Sequence, residues 1–229
     1  MMTQSPHRPM SRSIRIVSLI ALLCLGAPAV ASAQPVRSSA VALSADDKAL
    51  VAKASAYLQS LGQARGRFVQ TDPFGTKSRG DLYLKRPGKM RFAYDPPLGL
   101  LVVSDGFNVS IADSRLKTFD RYPLGTTPLA LLLAREIRLD RGVIIDRVTR
   151  SADSFAITAR DGRKEAEGRI VLTFSSSPVA LKSWTVTDAQ GQTTRIDLEQ
   201  FSAASGLDPA LFVLVDPRSL APGSAKTRR

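Results

Sequence analysis

Short segments in which apolar and polar residues alternate, each stopped by a turn signal, fill this chain from residue 65 onward. A period of two puts every second side chain on one face, so such segments fold as strands that share a buried side. In order they are RGRFVQTD (65–72), GDLYLKRP (80–87), KMRFAYD (89–95), LLVVS (100–104), FNVSIAD (107–113) and LKTFDRY (116–122). After a break come GVIIDRVTR (142–150), SFAITAR (154–160), GRIVLTFSS (168–176), VALKSWTVTD (179–188), TTRIDLEQF (193–201) and finally FVLVD (212–216). Asp105-Gly106, Asp161-Gly162 and Gln190-Gly191 punctuate them. Roughly ten or eleven strands within ~150 residues predict one large antiparallel sheet curled into a barrel or half-barrel, with a two-sheet sandwich as the alternative.

Two stretches depart from this rhythm. Ser44 and Asp47 stand in S-x-x-D spacing before an apolar series at Leu50, Ala54, Tyr57, Leu58 and Leu61, which predicts a capped amphipathic helix ending near Gly62. Residues 127–137, TPLALLLAREI, place Thr127 as an N-cap and Pro128 at the first helical position, followed by strong helix formers. Leu129, Leu131, Leu132 and Leu133 point around most of the circumference of such a helix, so it needs apolar cover on more than one side.

The N-terminus reads as a secretory leader. Arg8, Arg12 and Arg15 precede the apolar run IVSLIALLCL (16–25), and Ala31-Ser32-Ala33 supplies the small residues of a cleavage site. The apolar run falls short of the ~20 residues that span a bilayer. Leu23, where a small residue is expected before a lipidated cysteine, speaks against lipidation of Cys24. Cleavage after Ala33 removes 33 of 229 residues, and with them both Cys24 and His7, the only cysteine and the only histidine. The expected organisation is a signal peptide (1–33), a disordered tail (34–43), one β-rich domain (44–217) and a second disordered tail (218–229).

That loss excludes whole classes of chemistry from the exported protein. Disulfides, Cys–His and Ser–His–Asp centres and His- or Cys-ligated zinc all need residues that are gone. No metal site or cofactor is expected. Among acids, Asp72, Asp81, Asp95, Asp105 and Asp113 fall at strand ends and turns, where aspartate is favoured for its local backbone hydrogen bonds. Ser114 and Lys117 match S-x-x-K, but they follow Ser104-Asp105-Gly106 where the serine penicillin-recognising enzymes have the reverse order. The leader also takes three of the 32 basic residues and none of the 20 acids, so 29 against 20 leaves +9. A basic exported protein with 6% aromatics fits anionic lipid or acidic partners better than nucleic acid.

Phe68-Val69-Gln70, Gly80-Asp81-Leu82-Tyr83-Leu84-Lys85-Arg86-Pro87, Met90-Arg91-Phe92-Ala93-Tyr94, Val103-Ser104-Asp105-Gly106 and Thr127-Pro128-Leu129-Ala130-Leu131-Leu132-Leu133 follow one another as the motifs of the LolA family do. The chain resembles these periplasmic carriers of outer-membrane lipoproteins from about 45 to 140, with a compatible β-rich remainder to about 217. The resemblance implies an incomplete antiparallel barrel whose apolar cavity is closed by a helical lid and receives the acyl chains of lipoproteins. It implies acylated lipoproteins as cargo, an inner-membrane ABC transporter as donor, an outer-membrane receptor or the outer membrane itself as acceptor, a monomeric state and a periplasmic location. It assigns Arg86 as the latch that hydrogen-bonds the lid helix. Without the family context, Arg86 reads as a solvated strand-end arginine.

Apolar positions of the motif strands then become cavity candidates: Phe68, Leu82, Leu84, Met90, Phe92, Leu101 and Val103, with the four lid leucines opposite. Where the family has a tryptophan in its G-D-L-W element this chain has Tyr83, and Val109-Ser110-Ile111 stands where an aromatic is common. Two other functions stay open at this stage. One is a lipid- or lipoprotein-sensing regulatory domain of the same fold, and the other a hydrolase using carboxylates or Ser114 and Lys117.

Overall fold

The computed structural model describes residues 43–137, 139, 142–162 and 168–216. The expected leader and the 218–229 tail lie outside the described residues, as does all of the 34–43 tail except Leu43. Helix α1 (Ala45–Ser60) begins as its sequence predicts: the Ser44 hydroxyl accepts the Asp47 amide at 3.1 Å and itself donates to the Asp47 carboxylate at 2.7 Å. Asp46 and Asp47 in the first turn also complement the helix dipole. Its buried stripe is Val51, Ala54 and Leu58.

The strands are β1 (Gln63–Thr71), β2 (Lys77–Lys85), β3 (Lys89–Tyr94), β4 (Leu100–Asp105), β5 (Asn108–Asp113) and β6 (Thr118–Pro123). A 3-10 turn (Leu124–Thr126) and the short helix α2 (Leu129–Leu133) follow, then β7 (Val143–Arg150), β8 (Ser154–Asp161), β9 (Arg169–Ser176), β10 (Val179–Thr187) and β11 (Thr193–Ala203). They form one eleven-stranded sheet in the order β6-β5-β4-β3-β2-β1-β11-β10-β9-β8-β7. The sheet is antiparallel and open, with β6 and β7 as its edges, so the half-barrel expectation holds and the sandwich does not. Every neighbour is joined by a hairpin except β1 and β11, which pair Phe68 with Leu198 and Gln70 with Ile196.

Register decides the faces. Leu82 opposes Phe92, Leu84 opposes Met90 and Phe92 opposes Val102, so these side chains share one face. That face carries both helices, and residues from β5 at one end to β7 at the other belong with α1 and α2 to a single buried cluster. A sheet of this width can converge on one core only by curling. The opposite face has its own small cluster, in which Val103 packs against Leu207 and Phe212 from the segment after β11.

Two elements differ from the sequence reading. The predicted helix 127–137 is only the five residues of α2, because Ala134 turns extended (ψ 150°) and tertiary partners take the backbone groups that would have continued it. Thr127 is extended, yet its hydroxyl donates back to the Leu124 carbonyl at 2.8 Å instead of capping α2. The predicted strand 212–216 is a 3-10 turn (Pro209–Phe212) followed by irregular chain. Pro209 and the Asp208 carboxylate, which accepts the Ala210 amide at 2.8 Å, favour the turn, and the segment lies across the outer face instead of joining the edge.

Candidate functional site

Strand alternation puts Phe68, Leu82, Leu84, Met90 and Phe92 on the helix-bearing face, all buried. Phe68 stands edge-on to Phe92 and to Tyr94, with ring centroids 5.0 Å apart in both pairs, and Phe92 meets Trp184 at 6.2 Å. Such edge-to-face pairs contribute about 0.5–1.5 kcal/mol beyond their buried area. Tyr94 donates to the Gln70 side chain at 2.6 Å, and burial pushes its phenol up to about 12. The structure brings five of the seven cavity candidates together. Leu101 and Val103 are corrected: they oppose Ala93 and Arg91, so they project to the other face, where Val103 is buried under Leu207 and Phe212. Val102, between them, is the residue of β4 that joins the helix-face cluster. An all-apolar run such as LLVV conceals which of its two alternating sets faces the interior.

Helix α2 packs on this cluster. Leu132 and Leu133 are 3% and 1% exposed, while Leu129 and Leu131 pack against the same cluster and remain partly accessible. All four leucines therefore make apolar contact, as a helix apolar around its circumference must. Beyond α2, Ile137 and Leu139 are buried as well and tie the second half of the connection into the core.

The bond that fastens α2 comes from backbone. The Gly88 amide, in the β2–β3 turn, donates to the Leu133 carbonyl at 2.8 Å, satisfying one of the acceptors that a helix end leaves free. The Gly88 carbonyl in turn accepts the buried Ser104 hydroxyl at 2.6 Å. Asp105 accepts the amides of Phe107 and Asn108, both at 2.8 Å, and so shapes the β4–β5 turn itself, while the Ser104 bond joins it to the β2–β3 turn. A Cβ on Gly88 would lie 2.5 Å from the Gly106 Cα. The two turn motifs, K-R-P-G and V-S-D-G, thus form one catch. Each was visible in the sequence, but neither Gly88 nor Ser104 could be singled out, since nothing in the sequence shows that the turns touch.

Arg86 sits on the same catch turn. Its Nε and Nη2 atoms are buried and have no hydrogen-bond partner, and burial alone pulls the guanidinium pKa down. The bond to α2 is therefore made by Gly88, two residues along, and not by these two guanidinium nitrogens. A buried polar group without a partner costs about 1–3 kcal/mol, and a charged one more.

The motif acids serve the scaffold. Asp72 and Asp113, like Asp105, accept amides of their own turns. Asp81 and Asp95 both pair with Arg67 on the outer face, Asp81 at 3.0 Å. Ser114 donates to the Gly99 carbonyl at 3.1 Å. On that outer face the C-terminal segment is strapped down by Lys85 to the Leu207 carbonyl (2.7 Å), Arg91 to the Leu211 carbonyl (2.9 Å) and the Leu207 amide to Gln63 (2.9 Å). Between this strap and β6 runs a surface groove of about 620 Å³, flanked by Phe119, Arg121, Phe212 and Val213. No helix of the described residues is long and apolar enough to cross a membrane.

Comparison with known proteins gives a consistent result. Residues 59–215 match the family described as outer membrane lipoprotein carrier protein LolA. The outer-membrane lipoprotein carrier protein of Leptothrix cholodnii is 30% identical over 70% of this chain and 79% of its own length. That of Chromobacterium violaceum is 27% identical over 88% of this chain and 96% of its own. Among solved structures, a LolA superfamily protein from Nitrosomonas europaea aligns with 76% of this chain and 99% of its own at 11% identity and a TM-score of 0.43.

Proposed function

The chain belongs to the LolA family of outer membrane lipoprotein carrier proteins, and from that premise we propose that it takes up lipoprotein acyl chains beneath its lid and delivers them to the outer membrane. The observation that carries this reading is a short leucine-rich helix sharing one buried cluster with the apolar face of an open sheet. Leu132 and Leu133 occupy, in the closed protein, the kind of surroundings an acyl chain seeks.

The energetics favour exchange of one for the other. Each lid leucine contributes roughly 1.5–3 kcal/mol by its burial, whereas an acyl chain contributes about 0.8 kcal/mol for every methylene removed from water. A chain of about a dozen methylenes is therefore worth on the order of 10 kcal/mol, enough to displace the lid leucines. Arg86 adjusts this balance. With Nε and Nη2 buried and unpartnered in the closed form, it opposes closure and keeps the empty protein able to open. The reaction is binding and release, without covalent chemistry. The donor is an inner-membrane lipoprotein-releasing ABC transporter, the acceptor an outer-membrane receptor or the outer membrane itself, and the protein works as a monomer in the periplasm.

The test is native mass spectrometry of the exported protein, isolated without detergent after co-expression with a lipoprotein or with the same polypeptide whose acylated cysteine is replaced by serine. A complex with the acylated form alone is expected. Equal binding of both forms would mean that polypeptide is recognised, and no complex with either would sink the carrier reading.

A further inference from the structure

We infer that Gln59 is the positioning residue that seats the lid, acting as a neutral clasp between α1 and the chain leaving α2. Its side-chain Nε2 donates to the Arg135 carbonyl at 3.3 Å, and its Oε1 accepts the Ile137 amide at 2.9 Å. One carboxamide thus binds the carbonyl of one residue and the amide two residues further on, the pattern a neighbouring strand would offer. Among side chains that do not titrate, only asparagine and glutamine carry a donor and an acceptor on one planar group, and asparagine is a methylene shorter.

The placement gives the clasp its effect. Gly88 holds the Leu133 carbonyl on one side of Ala134, where the chain leaves the helical conformation, and Gln59 holds residues 135 and 137 on the other. Ile137, the residue it binds, is buried. Gln59 itself is exposed on the last turn of α1, so water can replace both bonds when the lid lifts. A carboxamide has no charge to titrate or to be screened, so the clasp holds alike at any pH or ionic strength at which the protein folds. A guanidinium or carboxylate at this place would not. The inference deepens the carrier reading and rests on it for the consequence of lid opening, though not for the clasp itself.

Hydrogen exchange of the protein lacking only its leader tests the clasp directly. Gln59→Met keeps length and helix propensity while removing both bonds, Gln59→Ala removes the side chain, and Lys53→Ala is the control on an exposed position of the same helix. Two lost bonds of ordinary strength correspond to a roughly five- to thirtyfold loss of protection. That loss is expected at Ile137 and across residues 129–137 in both Gln59 variants, with the sheet amides and α1 unchanged. Unchanged protection at Ile137 in both variants, or a uniform loss through the sheet, would overturn the inference. Uptake of a fluorescent diacylated lipopeptide, followed in the same variants, separates the two levels. Faster uptake together with lost lid protection is expected. Lost protection with wild-type uptake would leave the clasp standing and refute the lid as the gate for acyl chains.

Discussion

Arg86→Leu tests whether the guanidinium restrains the lid or opposes its closure. In the closed protein Nε and Nη2 are buried without partners, and the pKa of the group is lowered by burial with no compensating interaction. Each unpaired group costs about 1–3 kcal/mol. Arg86 is only partly enclosed, so the lower part of that range applies, and the two together come to about 2–3 kcal/mol in favour of the leucine variant. At 1.36 kcal/mol per decade this is a roughly 30- to 160-fold shift toward the closed lid. The assay uses a protein that begins at Gln34 and so lacks Cys24, the one cysteine of the sequence. Leu132→Cys, at a lid position 3% exposed, is labelled by a thiol reagent only when the lid lifts. In that background Arg86→Leu should label more slowly, unfold at higher denaturant and load lipopeptide more slowly. Faster labelling, or a lower unfolding midpoint, would refute the reasoning and return Arg86 to the role of a bonded latch.

Gly88→Ala should damage the catch itself. Its φ of +75° costs an L-residue about 1–2 kcal/mol, and the new Cβ would meet the Gly106 backbone. Gly75→Ala has a similar φ, +83°, but open space around it. Both variants should lose thermal stability, yet only Gly88→Ala should also speed labelling of Leu132→Cys; equal labelling would detach the catch from the β2–β3 turn. Tyr94 gives a pH prediction. Its folded pKa, about 12, lies above the ordinary 10, so the stability it contributes is complete below pH 10 and is lost as pH rises through 12. Two units amount to about 2–3 kcal/mol. Urea unfolding between pH 9 and 12 should show that decline in the wild type and less of it in Tyr94→Phe, and parallel declines would contradict the assignment.

Local signals in the sequence carried the architecture because local physics governs it. Ser44 and Asp47 cap α1 as their spacing requires, and the alternating runs 80–87 and 89–95 became β2 and β3 with Leu82 facing Phe92. Alternation failed at Leu101 and Val103, where four consecutive apolar residues hold no record of which face is inside. The lid failed differently. Helix propensity extends through Ala134 and Arg135, but Gly88 and Gln59 bind the chain from far away in sequence and end the helix after one turn. A short helix gains little from its own hydrogen bonds, so tertiary partners decide its length. The catch was hidden for the same reason: Ser104 and Gly88 meet only when two hairpin turns are laid side by side.

Strand order also determines where α2 is anchored. β6 and β7 are consecutive in the chain but stand at opposite edges of the sheet, so the connection that carries α2 joins one edge to the other. Helix α2 is therefore tethered at both ends. Its fastenings come from neither edge. Gly88 belongs to the turn between β2 and β3, and Gln59 to the helix that feeds β1, both near the middle of the strand order. Those strands are braced from behind, since Gln63, Lys85 and Arg91 bind the C-terminal strap on the outer face. Lys85 and Arg86, neighbours in the chain, thus meet different surroundings, the lysine binding the strap on the outer face and the arginine partly buried beside the turn that holds α2. On the carrier reading proposed above, opening releases the Gly88 and Gln59 bonds and exposes buried residues of the connection such as Leu132, Leu133 and Ile137. On that same reading, a lid held by neutral bonds at its centre and by the chain at its ends exchanges its leucines for an acyl chain and closes again with the sheet hydrogen bonds intact.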